Sequence, residues 1–338
     1  MKNPYPQNDV KIAVLGGGTG SFMLLSALKR YSRSIAAIVS MADDGGSTGV
    51  LRDELGTLPP GDVRQCLVAL SDSPKVRDLF NYRFEEGAFG GHAFGNLLLS
   101  ALEKMTGDFG QAVETASEIL HVHGTVLPAT LDDVRLRMAW PDRTTLHGEK
   151  VIDVGAFEAD PRQAKLSLVP NPKPNPIALA AIAQADLVVV APGDLYTSLG
   201  PLLVIDGFKE ALQDTKAVTM YVSNLVTKRG HTRGFTVADH AREIERFVGG
   251  EFLDYVIYNE QKPNETLARR YEEEGAFLVA SSPEGLASQH FVSIGGDFLG
   301  GIADLNTNDM LTRSLIRHDA DAVAASIMEV YHNARAQY

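Results

Sequence analysis

The chain has 338 residues, 44% of them hydrophobic and 22% charged, with a net charge of −12. That length can bury a large core, and the composition is that of a folded globular protein. So negative a chain has no broad basic face for duplex nucleic acid, so no nucleic-acid partner is expected; an anionic small molecule held by a few amides and arginines is still allowed.

The opening stretch "MKNPYPQNDVKIAVLGGG" carries no secretory h-region, and no run reaches the roughly 18 apolar residues of a membrane span. Cys66 is the only cysteine, so no intrachain disulfide forms and a reducing, cytoplasmic setting is expected. "KIAVL" reads as a first strand ending at Gly16, with Leu24, Leu28 and Tyr31 at helical spacing behind it. "SIAAIVSMA" supplies the second strand. Val63, Leu67 and Leu70 share a helix face, which makes Cys66 of "VRQCLVAL" a core residue rather than a nucleophile. A short helix around Leu79 and Phe80 follows. Leu98, Leu102 and Met105 mark another, stopped by Gly107, and Phe109, Val113, Ala116 and Leu120 form one stripe.

The period then changes. Val134, Leu136, Met138 and Trp140 alternate with polar residues, "PDRTT" turns the chain, and "LHGEKVIDV" is predicted to return as a hairpin. "VPNPKPNP" is a proline-punctuated connection. Beyond it come "DLVVV", a helix with Val204, Phe208 and Leu212, "VTMYVSN", and a helix with Ala241, Ile244 and Phe247. "DYVIYN", a helix ending near Gly275, "AFLVA" and a terminal helix with Val323, Ile327, Val330 and Tyr331 complete the series. Such alternation predicts a Rossmann-like three-layer α/β/α fold, a doubly wound, mostly parallel sheet with a helical insertion and a β-hairpin. A single domain over 1–338 is expected. Residues 8–130 would be its first βα half with the helical insertion, 131–155 the hairpin, and 176–338 the second half.

Four strand exits are polar and glycine-rich: "GGGTGS", "ADDGGSTG", "APGDLYTS" and "SNLVTKRGHTRG". Ligands of open parallel sheets sit beyond the carboxyl ends of the strands, so these exits predict the walls of one cleft. In the first, Gly17, Gly18 and Thr19 open a helix, a setting that favours anions. Gly16 and Gly18 fit G-x-G-x-x-G, but Ser21 stands at the third glycine and there is no P-loop lysine. In the second, Asp43 and Asp44 can meet sugar hydroxyls or hold Mg²⁺ through water, and the Gly45–Gly49 stretch, including Ser47, can nest a phosphate. Thr197 and Ser198 follow Gly193 in the third, where they either cap a helix or touch an anion. Asn224 ends a strand and can read an amide or base edge. His92 in "GGHAFGN" is either a general acid–base group or a hydrogen-bonded loop histidine. His121 and His123 lack a third ligand and read as structural. Lys228, Arg229 and Arg233 form a basic cluster, either solvated or suited to a pyrophosphate.

Together "GGGTGS", "ADDGGSTGVLRDELGTLPPGDVRQCLVALSD", "YRF", "GHAFGNLLL", "PGDLYTSLGPLL" and "RHD" resemble the gluconeogenesis factor family, within the superfamily of 2-phospho-L-lactate transferases that build a deazaflavin coenzyme. The resemblance runs over nearly the whole chain in the same motif order. It implies a cytoplasmic protein with a part in cell shape and envelope-precursor supply during growth on non-glycolytic carbon. It also implies a regulator that binds UDP-sugars, notably UDP-N-acetylglucosamine, and answers to a regulated protein partner. Carried over by motif, the ligand-site residues are Gly17, Gly18, Thr19, Asp43, Asp44, Gly193, Asn224 and, from "RHD", Arg317. Ala191 and Asp194 stand where the family commonly has glycine and serine, and "KRGHT" where it has Gln-Pro-Gly-Glu-Thr. The transferase branch carries His-Gly-Leu where this chain reads "GGSTGVLRDELG". The alternative expectations are a 2-phospho-L-lactate transferase-like enzyme using Mg²⁺ and, further off, an NAD-binding protein.

Overall fold

The β-branched runs of the sequence become the middle of a parallel sheet. The computed structural model describes residues 10–273, 275–300 and 317–336; residues 1–9, read above for a leader, lie outside them. Ten strands are present among the described residues: β1 Ile12–Leu15, β2 Ile35–Val39, β3 Thr125–Pro128, β4 Arg135–Ala139, β5 Thr145–His147, β6 Lys165–Val169, β7 Leu187–Val190, β8 Val218–Val222, β9 Tyr255–Asn259 and β10 Val292–Gly296. Seven form one sheet in the order β10-β9-β8-β7-β1-β2-β3, and every neighbouring pair is parallel. Ile12 of β1 stands opposite Ile35 on one side and Leu187 on the other.

Both β1 and β7 are buried along their whole length, so neither shows a polar alternation. Their side chains still alternate between faces: Ile12 and Val14 enter one apolar cluster, Ala13 and Leu15 the other. The first cluster takes Leu25 from the helix Gly18–Leu28, Leu67 and Cys66 from Gly61–Leu70, Val113 from Phe109–Leu120 and Ile327 from Ala320–Ala336. The second takes Leu195, Leu203, Phe208 and Ile244, together with Leu136 and Met138 of β4. Three layers result, as expected from the sequence. No helix among the described residues is long and apolar enough to cross a membrane.

The structure corrects several element assignments. "VIDV" does not return as a strand: β5 stops at His147, Gly148 turns the chain at φ 93°, and Glu149–Val154 is a helix. The third strand of the small antiparallel sheet is β6, paired along its length with β4. "AFLVA" makes only isolated bridges at Leu278 and Ala280, and the edge strand is β10. Val204 lies between two helices, Gly200–Leu203 and Phe208–Gln213, rather than inside one.

Candidate functional site

The strand order runs outward from β1 to β3, then resumes at β7 on the other side of β1. The helix after β1 packs on one face, through Leu24 and Leu25, and the turns after β7 pack on the other, through Leu195 and Leu199. Chain exits that diverge in this way leave a crevice at the carboxyl ends, where open α/β sheets take ligands. A cavity of about 480 Å³ fills it, lined by Thr19 and Gly20 after β1, Gly193, Asp194 and Ser198 after β7, Asn224 and Leu225 after β8, and Arg317 and His318 before the last helix. That is the size of a nucleotide-scale site.

Backbone approach explains the glycines here. A Cβ on Gly20 would lie 1.9 Å from the Pro192 carbonyl oxygen, so Gly20 supplies the close contact between the first and third exits, and Ser21 need not be glycine. Gly18, at φ 68°, is in the left-handed region that glycine tolerates. A Cβ on Gly17 would lie 2.2 Å from Asp62 Oδ2. The third and fourth exits are held by Asn224, whose Oδ1 accepts from Gly193 N at 3.0 Å while its Nδ2 donates to Gly193 O at 2.8 Å.

Below Gly193, Asp194 Oδ1 accepts from Tyr196 N and Thr197 N at 3.0 and 3.1 Å and starts the following turn. Its Oδ2 lies 2.9 Å from Lys228 Nζ, which also pairs with Asp153. Burial disfavours the Asp194 charge, but the Lys228 ammonium and the His231 ring beside it prevail and hold the carboxyl at about 2. Thr197 Oγ1 donates to Asp153 Oδ1 at 3.2 Å. His231 is buried, stacks on Phe157 at 4.1 Å and donates from Nε2 to Gly155 O at 2.9 Å; burial lowers its pKa against the pull of Asp194. Arg233 lies over Phe277, and Arg229 lies against Gly275. Of the basic cluster, only Lys228 therefore turns toward the crevice, already paired with two carboxylates.

The second exit is adjacent but not in the cavity wall, which corrects the expectation of one shared cleft for all four. Asp43 Oδ1 accepts from Gly45 N at 2.9 Å, and Asp44 caps the helix Glu149–Val154 by accepting from Glu149 N at 3.1 Å and Lys150 N at 2.7 Å. Arg52 is buried and donates to Asp43 O at 2.8 Å and Val134 O at 2.7 Å, tying this exit to the residue that leads into β4. Ser47 Oγ lies 2.9 Å from His92 Nδ1. Two acids not nominated from the sequence complete the group, Asp62 and Glu149. Burial first, then the Asp43 charge, pushes Asp62 up to about 7 and Glu149 up to about 9; Asp43 itself is raised by burial. Asp62, lying between Gly17 and Asp43, joins this acidic exit to the phosphate-type turn.

Thr19, Gly193, Ser198, Asn224 and Arg317 thus come together around the cavity; Gly17 and Gly18 meet Asp62; Asp43, Gly45 and Ser47 form the neighbouring exit; Asp44 and Thr197 serve local structure. Among the described residues no three His, Cys, Asp or Glu side chains form a metal cage. Mg²⁺ is commonly held by one or two carboxylates and ligand phosphates, and Asp43 and Asp62 are the oxygen donors suited to that; Asp44 is occupied as a cap. Arg317 faces the cavity with its Nε buried and without a partner among the described residues. His318 donates from Nε2 to Ser223 O over 3.1 Å, and burial lowers its pKa to about 4.

The family model of the 2-phospho-L-lactate transferase CofD matches residues 12–299. A relative from Nostoc sp. is 44% identical over 80% of this chain, which spans 59% of that relative's length. The gluconeogenesis factor of Bacillus subtilis is 38% identical over 95% of this chain and 98% of its own. A crystal structure of a UPF0052 family member from Bacillus halodurans superposes with a TM-score of 0.85 at 36% identity, covering 94% of this chain and 99% of that one. The chain belongs to the CofD family, on the branch whose curated members bear the gluconeogenesis factor name.

Proposed function

We propose that this member of the CofD family is a UDP-sugar-binding regulator that links gluconeogenic growth to envelope-precursor supply and cell shape, without turnover of its own. The observation that carries the reading is the Arg317 guanidinium, facing the switch-point cavity with a buried Nε that has no partner among the described residues, in a chain of net charge −12. An arginine left so is suited to a diphosphate, because charge-assisted forks to phosphate are among the stronger hydrogen bonds. The helix start at Thr19 and Gly20 faces the same space, and Met23, Leu24, Leu225 and Val226 offer apolar wall for a base. Thermal denaturation with UDP-N-acetylglucosamine tests it: a ligand bound only by the native state raises the melting temperature, and no shift at millimolar ligand overturns the reading. Titration with NAD in the same assay measures the dinucleotide alternative.

A second reading has one observation behind it, the match to a transferase family over 12–299. It is a phospho-group transferase working with Mg²⁺ at Asp43 and Asp62. Incubation with a deazaflavin acceptor and an activated phospholactate donor, with and without Mg²⁺, tests it; absence of Mg²⁺-dependent product removes it.

A further inference from the structure

Outside the cavity, at the second strand exit, a chain of four side chains runs from a buried cation to a half-buried serine–histidine pair. Arg64 is buried, and its Nε donates to Asn96 Oδ1 at 2.9 Å. A guanidinium can only donate, so it fixes which end of the Asn96 amide faces it. Asn96 Nδ2 then donates to Ser47 Oγ at 3.3 Å, and Ser47 Oγ lies 2.9 Å from His92 Nδ1. With Ser47 donating to an unprotonated Nδ1 the serine hydroxyl proton is paired, and the His92 proton sits on Nε2. The neighbours of the pair are exposed and uncrowded: a Cβ on Gly46 or on Gly91 would meet nothing within 4 Å. Ser47 lies in the first turn of the helix Gly46–Leu55, which no side chain caps.

The geometry points to Ser47 as a nucleophile with His92 as its general base, a reactive site separate from the UDP-sugar reading and independent of it. A hydroxyl and a base within hydrogen-bond reach is the arrangement that activates serine, and here Asn96 orients the hydroxyl. The step it supports is attack of Ser47 Oγ on an electrophilic phosphorus. The Oγ–P bond forms as the bond from phosphorus to the leaving group breaks. The leaving group departs with its electron pair, and the serine proton passes to His92 Nδ1. Developing negative charge on the phosphoryl oxygens falls at the uncapped helix start. Asn96 and Arg64 act as positioning residues.

A fluorophosphonate probe, whose leaving group is fluoride, tests this on the full chain with adduct mapping by mass spectrometry. Expected are one adduct at Ser47, none in Ser47→Ala, and a labelling rate about 100-fold lower in His92→Ala, within the usual range for losing a general base. Added imidazole restores labelling of His92→Ala but not of Ser47→Ala. A pair that merely pins the 82–94 segment to the helix would give neither labelling nor rescue. Folded wild-type protein that leaves Ser47 unlabelled overturns the assignment, as does a folded His92→Ala variant, checked by its thermal transition, that labels at the wild-type rate.

Discussion

The carboxamide of Asn224 holds both backbone groups of Gly193, accepting from its N–H at 3.0 Å and donating to its carbonyl at 2.8 Å. Two strand exits are fixed to one another by a single side chain, and both line the cavity. Asn224→Asp keeps the acceptor but loses the donor, setting a carboxylate against the Gly193 carbonyl. Expected is a loss of about 1–3 kcal/mol in urea denaturation, the usual cost of an unpaired buried group. Weaker UDP-sugar binding should accompany it. Unchanged stability would mean that the clamp does not fix the exits.

The acids of the second exit set a pH dependence. Asp62 and Glu149 titrate near 7 and 9 in the folded chain, against 3.8 and 4.5 when free. Between those limits the native state holds protons that the unfolded state has released, so stability falls as pH rises from about 4 to about 9. Asp194 has the opposite sign: its depressed pKa contributes stability above about 4 that is lost as pH falls toward 2. Melting temperatures from pH 5 to 9 should therefore decline in the wild type and flatten in Asp62→Asn/Glu149→Gln. A wild-type profile that rises over this window contradicts the buried protons.

Much of this arrangement was legible in the residues, and the rest was not, for definite reasons. The runs "KIAVL", "SIAAIVS", "DLVVV" and "VTMYVS" are apolar throughout because both faces of a central parallel strand are covered, and they marked the sheet and its exits. β10 gave no such signal, since Val292–Gly296 is a half-exposed edge ending in two glycines. "VIDV" resembled a returning strand because the residue that starts its helix, Asp44, lies about a hundred positions earlier. Asp62 and Glu149 were unremarkable as isolated acids; their significance is proximity to Asp43 after folding. Thr19, Gly193, Asn224 and Arg317 could be nominated because each belongs to a motif, whereas the exclusion of Asp43 from the cavity wall follows from strand order, which no motif encodes.

Lys228 stands between Asp153 and Asp194, with its own pKa raised by the two carboxylates against the effect of burial. Lys228→Met leaves those acids facing each other at the crevice. The pair is partly exposed, so the expected cost is about 1–3 kcal/mol, between that of surface and buried ion pairs. Adding Asp194→Asn should restore part of it, and a double-mutant cycle by chemical denaturation reads the coupling. Strict additivity would show that Lys228 and Asp194 do not interact in solution.

Arg317 distinguishes a structural cation from a ligand-binding one. Its Nε is buried without a partner among the described residues, so Arg317→Ala removes an unsatisfied donor and should leave the ligand-free melting temperature unchanged or slightly higher. Charge-assisted hydrogen bonds contribute about 1.5–3 kcal/mol, so UDP-N-acetylglucosamine should bind roughly 10–100-fold more weakly to the variant. Arg317→Lys keeps the charge but loses the planar fork and should fall between. Uridine, which has no diphosphate, provides the control: its affinity should be the same for wild type and Arg317→Ala by calorimetric titration. If uridine and the UDP-sugar lose affinity equally, Arg317 shapes the cavity rather than holding the diphosphate.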